Sequence, residues 1–143
     1  MKNQNYKNHR RFIILYHIAT FGTILAVLIG SLINVIKSSG TSGLYSASLL
    51  FAISLILVSL FFFARIFALK AQDRAIRAEE NFRHYLLTGK ALPSGLHAKQ
   101  SVGLRFASDD ELKDLAEKAS KENLSGEEIK KLIKNWRADY YRV

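Results

Sequence analysis

The sequence predicts an all-α protein, a two-helix transmembrane hairpin followed by a small cytoplasmic helical domain. Three observations predict it. The first is a pair of long apolar runs, Phe12 to Ile36 with no formal charge and Leu44 to Leu69 with one, Arg65. A run of roughly 20 apolar residues matches the hydrocarbon thickness of a bilayer. The second is the placement of Lys and Arg around those runs. The third is a series of helix-start signals after residue 70, in a half of the chain as charged as the first half is apolar.

Residues 1–11 form a basic flank carrying Lys2, Lys7, Arg10 and Arg11 with no acid. The run 12–36 is the first span. At 25 residues it exceeds the apolar stretch of a secretory signal, about 7–15 residues. The second run follows soon after it, so a retained helix is expected and not a cleaved leader. Residues 37–43 make a short Ser/Gly-rich loop with a single lysine. Residues 44–69 form the second span, and Lys70, Arg74 and Arg77 flank its far end. Lys and Arg concentrate on the cytoplasmic side of spans. Both termini are therefore expected in the cytoplasm, with the loop on the opposite face.

Lipid tails are as apolar as Leu, so spans associate through close contact and not through the hydrophobic effect. The sequence offers small residues for such a seam: Gly22, Ala26 and Gly30 on the first span, and Ser48, Ala52 and Ser59 on the second. Antiparallel pairing would also bring Arg65 near Tyr16 and His17. Arg65 lies about one turn from the cytoplasmic end, so its long side chain can reach the headgroups. A polar cluster that fixes register is expected there rather than a proton or ion path.

Residues 70–88 should continue the second span as a cytoplasmic helix. The segment has no Pro or Gly, is rich in good helix formers, and repeats Ala71, Ala75, Ala78, Phe82, Tyr85 and Leu86 at helical spacing. Gly89 and Pro93 predict its end and a turn to Gly95. Residues 89–143 should form the small domain. Residues 96–106 alternate as a strand would, but an isolated strand lacks a partner, so a short helix is expected. Ser108 to Glu111 and Ser125 to Glu128 both fit a capping box. The last helix should carry Ile129, Leu132, Ile133, Trp136 and Tyr140 on one stripe.

All twelve acidic residues lie at or after Asp73, and the segment from Lys70 onward has fifteen basic residues, a net of +3. Arg74, Arg77, Arg105, Lys130, Lys131, Lys134, Trp136 and Arg137 form a candidate partner surface. A basic face with aromatics also occurs in nucleic-acid binders, but so small an excess suits anionic lipid headgroups beside a tethered domain better. There is no cysteine, so thiolate chemistry and Cys-based metal sites are excluded. No phosphate loop, HExxH or GxSxG occurs. The four histidines lack ligand spacing, and Asp109, Asp110 and Glu111 suit a helix start. Neither a metal, a cofactor nor an enzymatic role is expected.

Several stretches resemble a family of small two-span bacterial membrane proteins, frequent in Bacteroidetes-type genomes and catalogued as a domain of unknown function. They are Asn3 to His9, Gln72 to Glu80, Leu87 to Lys90, Leu104 to Leu112, Ile129 to Lys131 and Asn135 to Asp139. The resemblance implies an inner-membrane protein whose cytoplasmic part is the recognition surface. It implies no activity or catalytic residue. The expected role is a non-enzymatic accessory or scaffold subunit of a membrane complex, binding a membrane-protein partner or further copies of itself. The alternatives are a membrane-tethered binder of nucleic acid or ribosomes, and a small homo-oligomeric channel or transporter.

Overall fold

The computed structural model describes residues 4–9 and 12–140. Lys2, Arg10, Arg11 and Tyr141 therefore lie outside the described residues. The regular elements within them are helical. A π-helical opening, Leu15–Thr20, leads into α1 (Phe21–Lys37), and α2 (Leu44–Thr88), α3 (Ala98–Leu104), α4 (Asp109–Lys121) and α5 (Gly126–Leu132) follow. The chain divides into two compact units, residues 11–67 and residues 1–10 with 68–143.

In the first unit, the helix Leu15–Lys37 and the helix beginning at Leu44 are each long and apolar enough to cross a membrane by length and composition. Gly40, at φ +77°, takes the left-handed conformation in the turn between them. Side-chain contacts run in antiparallel order. Ser31 Oγ lies 3.0 Å from Ser54 Oγ, while Tyr16 Oη donates to the Phe61 carbonyl at 2.9 Å. Phe21 and Phe61 also meet, with ring centroids 5.4 Å apart.

The small-residue seam is corrected by this geometry. Gly22, Ala26, Gly30, Ser48, Ala52 and Ser59 are all exposed. A Cβ built at Gly22 or Gly30 would meet nothing within 4 Å. The covered positions are instead Ile24, Leu28, Ser31 and Val35 on α1, and Ala47, Phe51, Ser54, Val58 and Phe61 on α2. Bulkier side chains therefore fill the interface, and the Ser31–Ser54 pair supplies the kind of interhelical hydrogen bond that polar residues make in lipid.

The second unit is built on a compact core of Leu96, Leu104, Phe106, Ala107, Leu112, Leu115, Ala116, Ala119, Ile129 and Ile133. α2 is a single helix through Thr88, where Gly89 at φ +70° donates its N–H to the Tyr85 carbonyl and ends it. Residues 98–104 are helical, as expected. The N-terminus of α3 is tied by Gln100, whose Oε1 accepts the His97 N–H at 2.6 Å and whose Nε2 donates to the Leu124 carbonyl at 2.8 Å. α4 closes with a Schellman-type bond from Leu124 N to Ala119 O, which places Asn123 at φ +48°.

Two helix-end expectations divide. Ser125 and Glu128 form the reciprocal capping box, at 3.2 Å and 2.7 Å. Ser108 makes no side-chain cap bond. Glu111 turns instead toward the C-terminal segment and accepts the Lys134 and Asn135 N–H groups at 3.2 Å and 3.1 Å. A second correction follows from the same segment. α5 stops at Leu132, and Ile133 is extended. Trp136 therefore leaves the helical stripe and pairs in an antiparallel bridge with Ala107. Leu132 and Tyr140, expected on the core stripe, are exposed.

α3 and α5 cross at glycine. A Cβ at Gly126 would lie 2.5 Å from the Lys99 carbonyl oxygen, and one at Gly103 would lie 2.8 Å from the Gly126 carbonyl. Backbone atoms cannot yield as a flexible side chain can. Gly126→Ala should therefore destabilise the protein by about 1–3 kcal/mol, whereas Gly22→Ala should leave it unchanged. Thermal unfolding of both variants in detergent checks the contrast.

Candidate functional site

The second unit has one feature that composition hid. Residues 4–9 return to it and pack against residues far along the chain. Gln4 acts as a surrogate backbone: its Nε2 donates to the Asp139 carbonyl at 3.2 Å, and its Oε1 accepts the Asp139 N–H at 2.7 Å. His9 is buried, with its ring 5.7 Å from Phe106 and 5.8 Å from Trp136. Phe106 and Trp136 are 4.9 Å apart. His9 Nδ1 lies 2.6 Å from the Tyr6 carbonyl, and Lys130 Nζ lies 3.4 Å from Nε2. A carbonyl can only accept and an ammonium can only donate. These partners therefore assign the ring proton to Nδ1.

This packing draws in part of the expected basic surface, Arg105, Lys130 and Trp136. Arg105 is buried, stacks 4.5 Å over the Phe106 ring, and reaches Asp139 at 3.3 Å. Lys130 pairs with Glu127 at 2.7 Å. That hydrogen bond, with the charge of Lys130, holds the Glu127 carboxyl below the usual carboxylate range. Lys131 lies 5.8 Å from the Tyr6 ring centroid, and Arg137 lies 3.8 Å from Glu80. Trp136 belongs to the aromatic group that His9 closes. Lys134 and Arg137 lie beyond α5, so the single basic helix face expected from the sequence does not form. Arg74, Arg77, Lys131, Lys134 and Arg137 remain exposed. Lys134 borders an open groove of about 470 Å3 between Gln4 and Asn5 on one side and Trp136 and Tyr140 on the other.

The polar trio expected within the spans lies in the first unit. Arg65 sits 5.8 Å from the Tyr16 ring centroid, and the Tyr16 and His17 rings meet edge to face at 5.2 Å. The Tyr16 hydroxyl is taken by the Phe61 carbonyl rather than by Arg65.

The sequence reading missed Gln4, Tyr6 and His9, and also an ion network on α2. Glu80 is buried, 3.0 Å from Arg83. Arg83 also reaches Asp109 at 2.6 Å and donates to the Ala107 carbonyl at 2.8 Å. The only prior signal was the alternating charge of residues 73–83, which suits a solvated helix face equally well. Burial pushes the Glu80 carboxyl above the usual carboxylate range. Desolvation there outweighs the attraction of Arg83 and Arg137, and Glu79 adds a smaller push in the same direction.

Together these elements define an all-helical protein with two apolar helices of membrane-crossing length and a helical unit closed by its own N-terminal segment. The chain belongs to a family of unknown function, DUF6526, whose profile matches residues 1–143. No curated protein and no solved structure matches it.

The raised pKa of Glu80 sets a pH test. Native protein binds this proton more tightly than unfolded chain does. Ionisation therefore costs native stability as pH rises from the unfolded value through the raised native one. Glu80→Gln removes the titration and keeps the shape. Between about pH 4 and pH 8, the melting temperature of Glu80→Gln should rise relative to wild type. Parallel thermal scans in one detergent check it. A constant difference would mean that Glu80 titrates normally.

Proposed function

We propose that this protein is a non-enzymatic accessory or scaffold subunit of a cytoplasmic-membrane complex. Its two apolar helices form a membrane hairpin, and its cytoplasmic helices meet the partner. The observation that carries the reading is the union of residues 4–9 with residues 68–140 in one compact unit. This union supports one compartment for the chain before the first apolar helix and the chain after the second. An even number of crossings satisfies that requirement, and a hairpin is the simplest such path. The basic flanks support a cytoplasmic side for that compartment.

Internal use of the charges supports an interaction module over a nucleic-acid binder. Arg105, Lys130 and Arg137 neutralise Asp139, Glu127 and Glu80 within the same unit. A phosphate backbone is bound by cations free to release its counterions, and these three are already engaged. The channel reading draws little from Arg65, which lies against Tyr16 near one end of the apolar segment.

Two measurements test the reading. The chain should stay in the membrane pellet after alkaline carbonate extraction, and tags at either end should resist protease in sealed, right-side-out cells. Solubility in carbonate, or a tag cleaved from outside, overturns the topology. Affinity purification in mild detergent should recover a defined second polypeptide at near-stoichiometric yield. Recovery of nothing but a monomer overturns the accessory role.

A further inference from the structure

The cytoplasmic stretch of α2 is amphipathic in the opposite sense to a normal surface helix. Its covered face carries Ile76, Glu80, Arg83 and His84, three of them polar. Its open face carries Phe82, Tyr85 and Leu86, which are 62%, 55% and 67% exposed. A large apolar group left in water needs an explanation when it recurs along one stripe.

The stripe has a register. Ala68, Ala71, Ala75, Ala78, Phe82 and Tyr85 follow one another at spacings of 3, 4, 3, 4 and 3. This is the seven-residue repeat of a coiled-coil seam, with Ala68, Ala75 and Phe82 at the a positions and Ala71, Ala78 and Tyr85 at d. The polar residues of the covered face then fall at b, c and f, the positions furthest from the seam. The positions beside the seam carry opposite charges, Arg74 at g and Glu79 at e. In a parallel two-stranded coil, a g residue faces the e residue five positions later on the other strand. Arg74 and Glu79 are five apart. Both are exposed, and among the described residues neither takes part in an ion pair.

We propose that this face is the dimer interface of the protein and that its occupant is the same face of a second copy, running parallel. The symmetry is closed and isologous, so each dimer gains the Arg74–Glu79 contact twice. The alanines let the two backbones approach closely, and Phe82 and Tyr85 anchor the far end. So short a coil is weak in free solution. Anchoring both strands in one bilayer supplies parallel orientation and a high effective concentration, and in this the inference rests on the membrane reading above.

The chain has no cysteine, which makes the test direct. Single variants Ala75→Cys, Ala78→Cys and Arg77→Cys of the full chain are oxidised with copper phenanthroline in membranes and run without reductant. Like-to-like disulfide dimers are expected at 75 and 78, with none at 77, a c position facing away. In the Ala78→Cys background, Arg74→Glu or Glu79→Arg alone should lower the cross-linked fraction severalfold. The double exchange should restore it. Equal cross-linking at 77, no dimer at 75 and 78, or cross-links only to other polypeptides overturns the dimer. So does a double exchange that fails to recover. Carbonate extraction of the same membranes separates the two readings. Protein that remains in the pellet without forming dimers sinks the dimer alone, and protein released to the supernatant sinks the anchor.

Discussion

His9 lies between Phe106 and Trp136, and that contact closes the N-terminal segment onto the core of the second unit. The ring fills a slot bordered by two aromatics from separate loops, while Gln4 saturates both backbone groups of Asp139. Without the N-terminal segment, Phe106 and Trp136 would form an open aromatic corner, and the segment after α5 would lose a partner. A segment of six described residues thus serves as a structural element with no secondary structure of its own. Its importance lies in topology. It ties the chain before the two apolar helices to the chain after them.

Helix positions were legible where the signal is local. The capping box at Ser125 formed because Glu128 has no stronger bidder for its carboxylate. The identical signature at Ser108 failed because Glu111 found three donors on Lys134 and Asn135. Short-range chemistry proposes a cap, and a tertiary partner can remove it. The same competition ended α5 early. Ile129, Leu132, Ile133 and Trp136 keep helical spacing on paper. Yet Trp136 gains a backbone bridge to Ala107 by leaving the helix, and the Arg137 N–H finds the Phe106 carbonyl. The single basic helix face expected over residues 130–137 is lost for this reason. It required a helix through Arg137, and the chain is extended there.

The apolar seam between α1 and α2 illustrates a different failure. Gly22, Ala26 and Gly30 have the right spacing for close packing, but spacing alone does not choose among the faces of a helix that is apolar all round. In lipid the choice falls to shape and polar pairing. Ser31 and Ser54 lie at matching depth, and their hydroxyls meet. One such hydrogen bond, with Phe61 meeting Tyr16 and Phe21 at the other end, selects a face that a count of small residues cannot.

The ion network on α2 is best understood as a device for register. Burial disfavours the charged form of Glu80 and pushes its pKa up, and buried ion pairs add little net stability. Position is what the network does fix. Arg83 has three acceptors within reach, Glu80 one turn back on its own helix and Asp109 and Ala107 at the start of α4, so it ties α2 to that segment. A slip of one helical turn, about 5.4 Å, would carry the Glu80–Arg83 pair as a unit away from Asp109 and the Ala107 carbonyl, and Arg83 would lose both of its contacts outside the helix. Asn81, whose Oδ1 accepts the Leu92 N–H, and His84, held to the Lys90 carbonyl, pin the same stretch to the turn that follows it. Polar residues therefore occupy the covered face of the helix because they are directional, and apolar contact there would allow sliding. The apolar residues of α2 are left on the other face, where directionality is unnecessary and area is what counts.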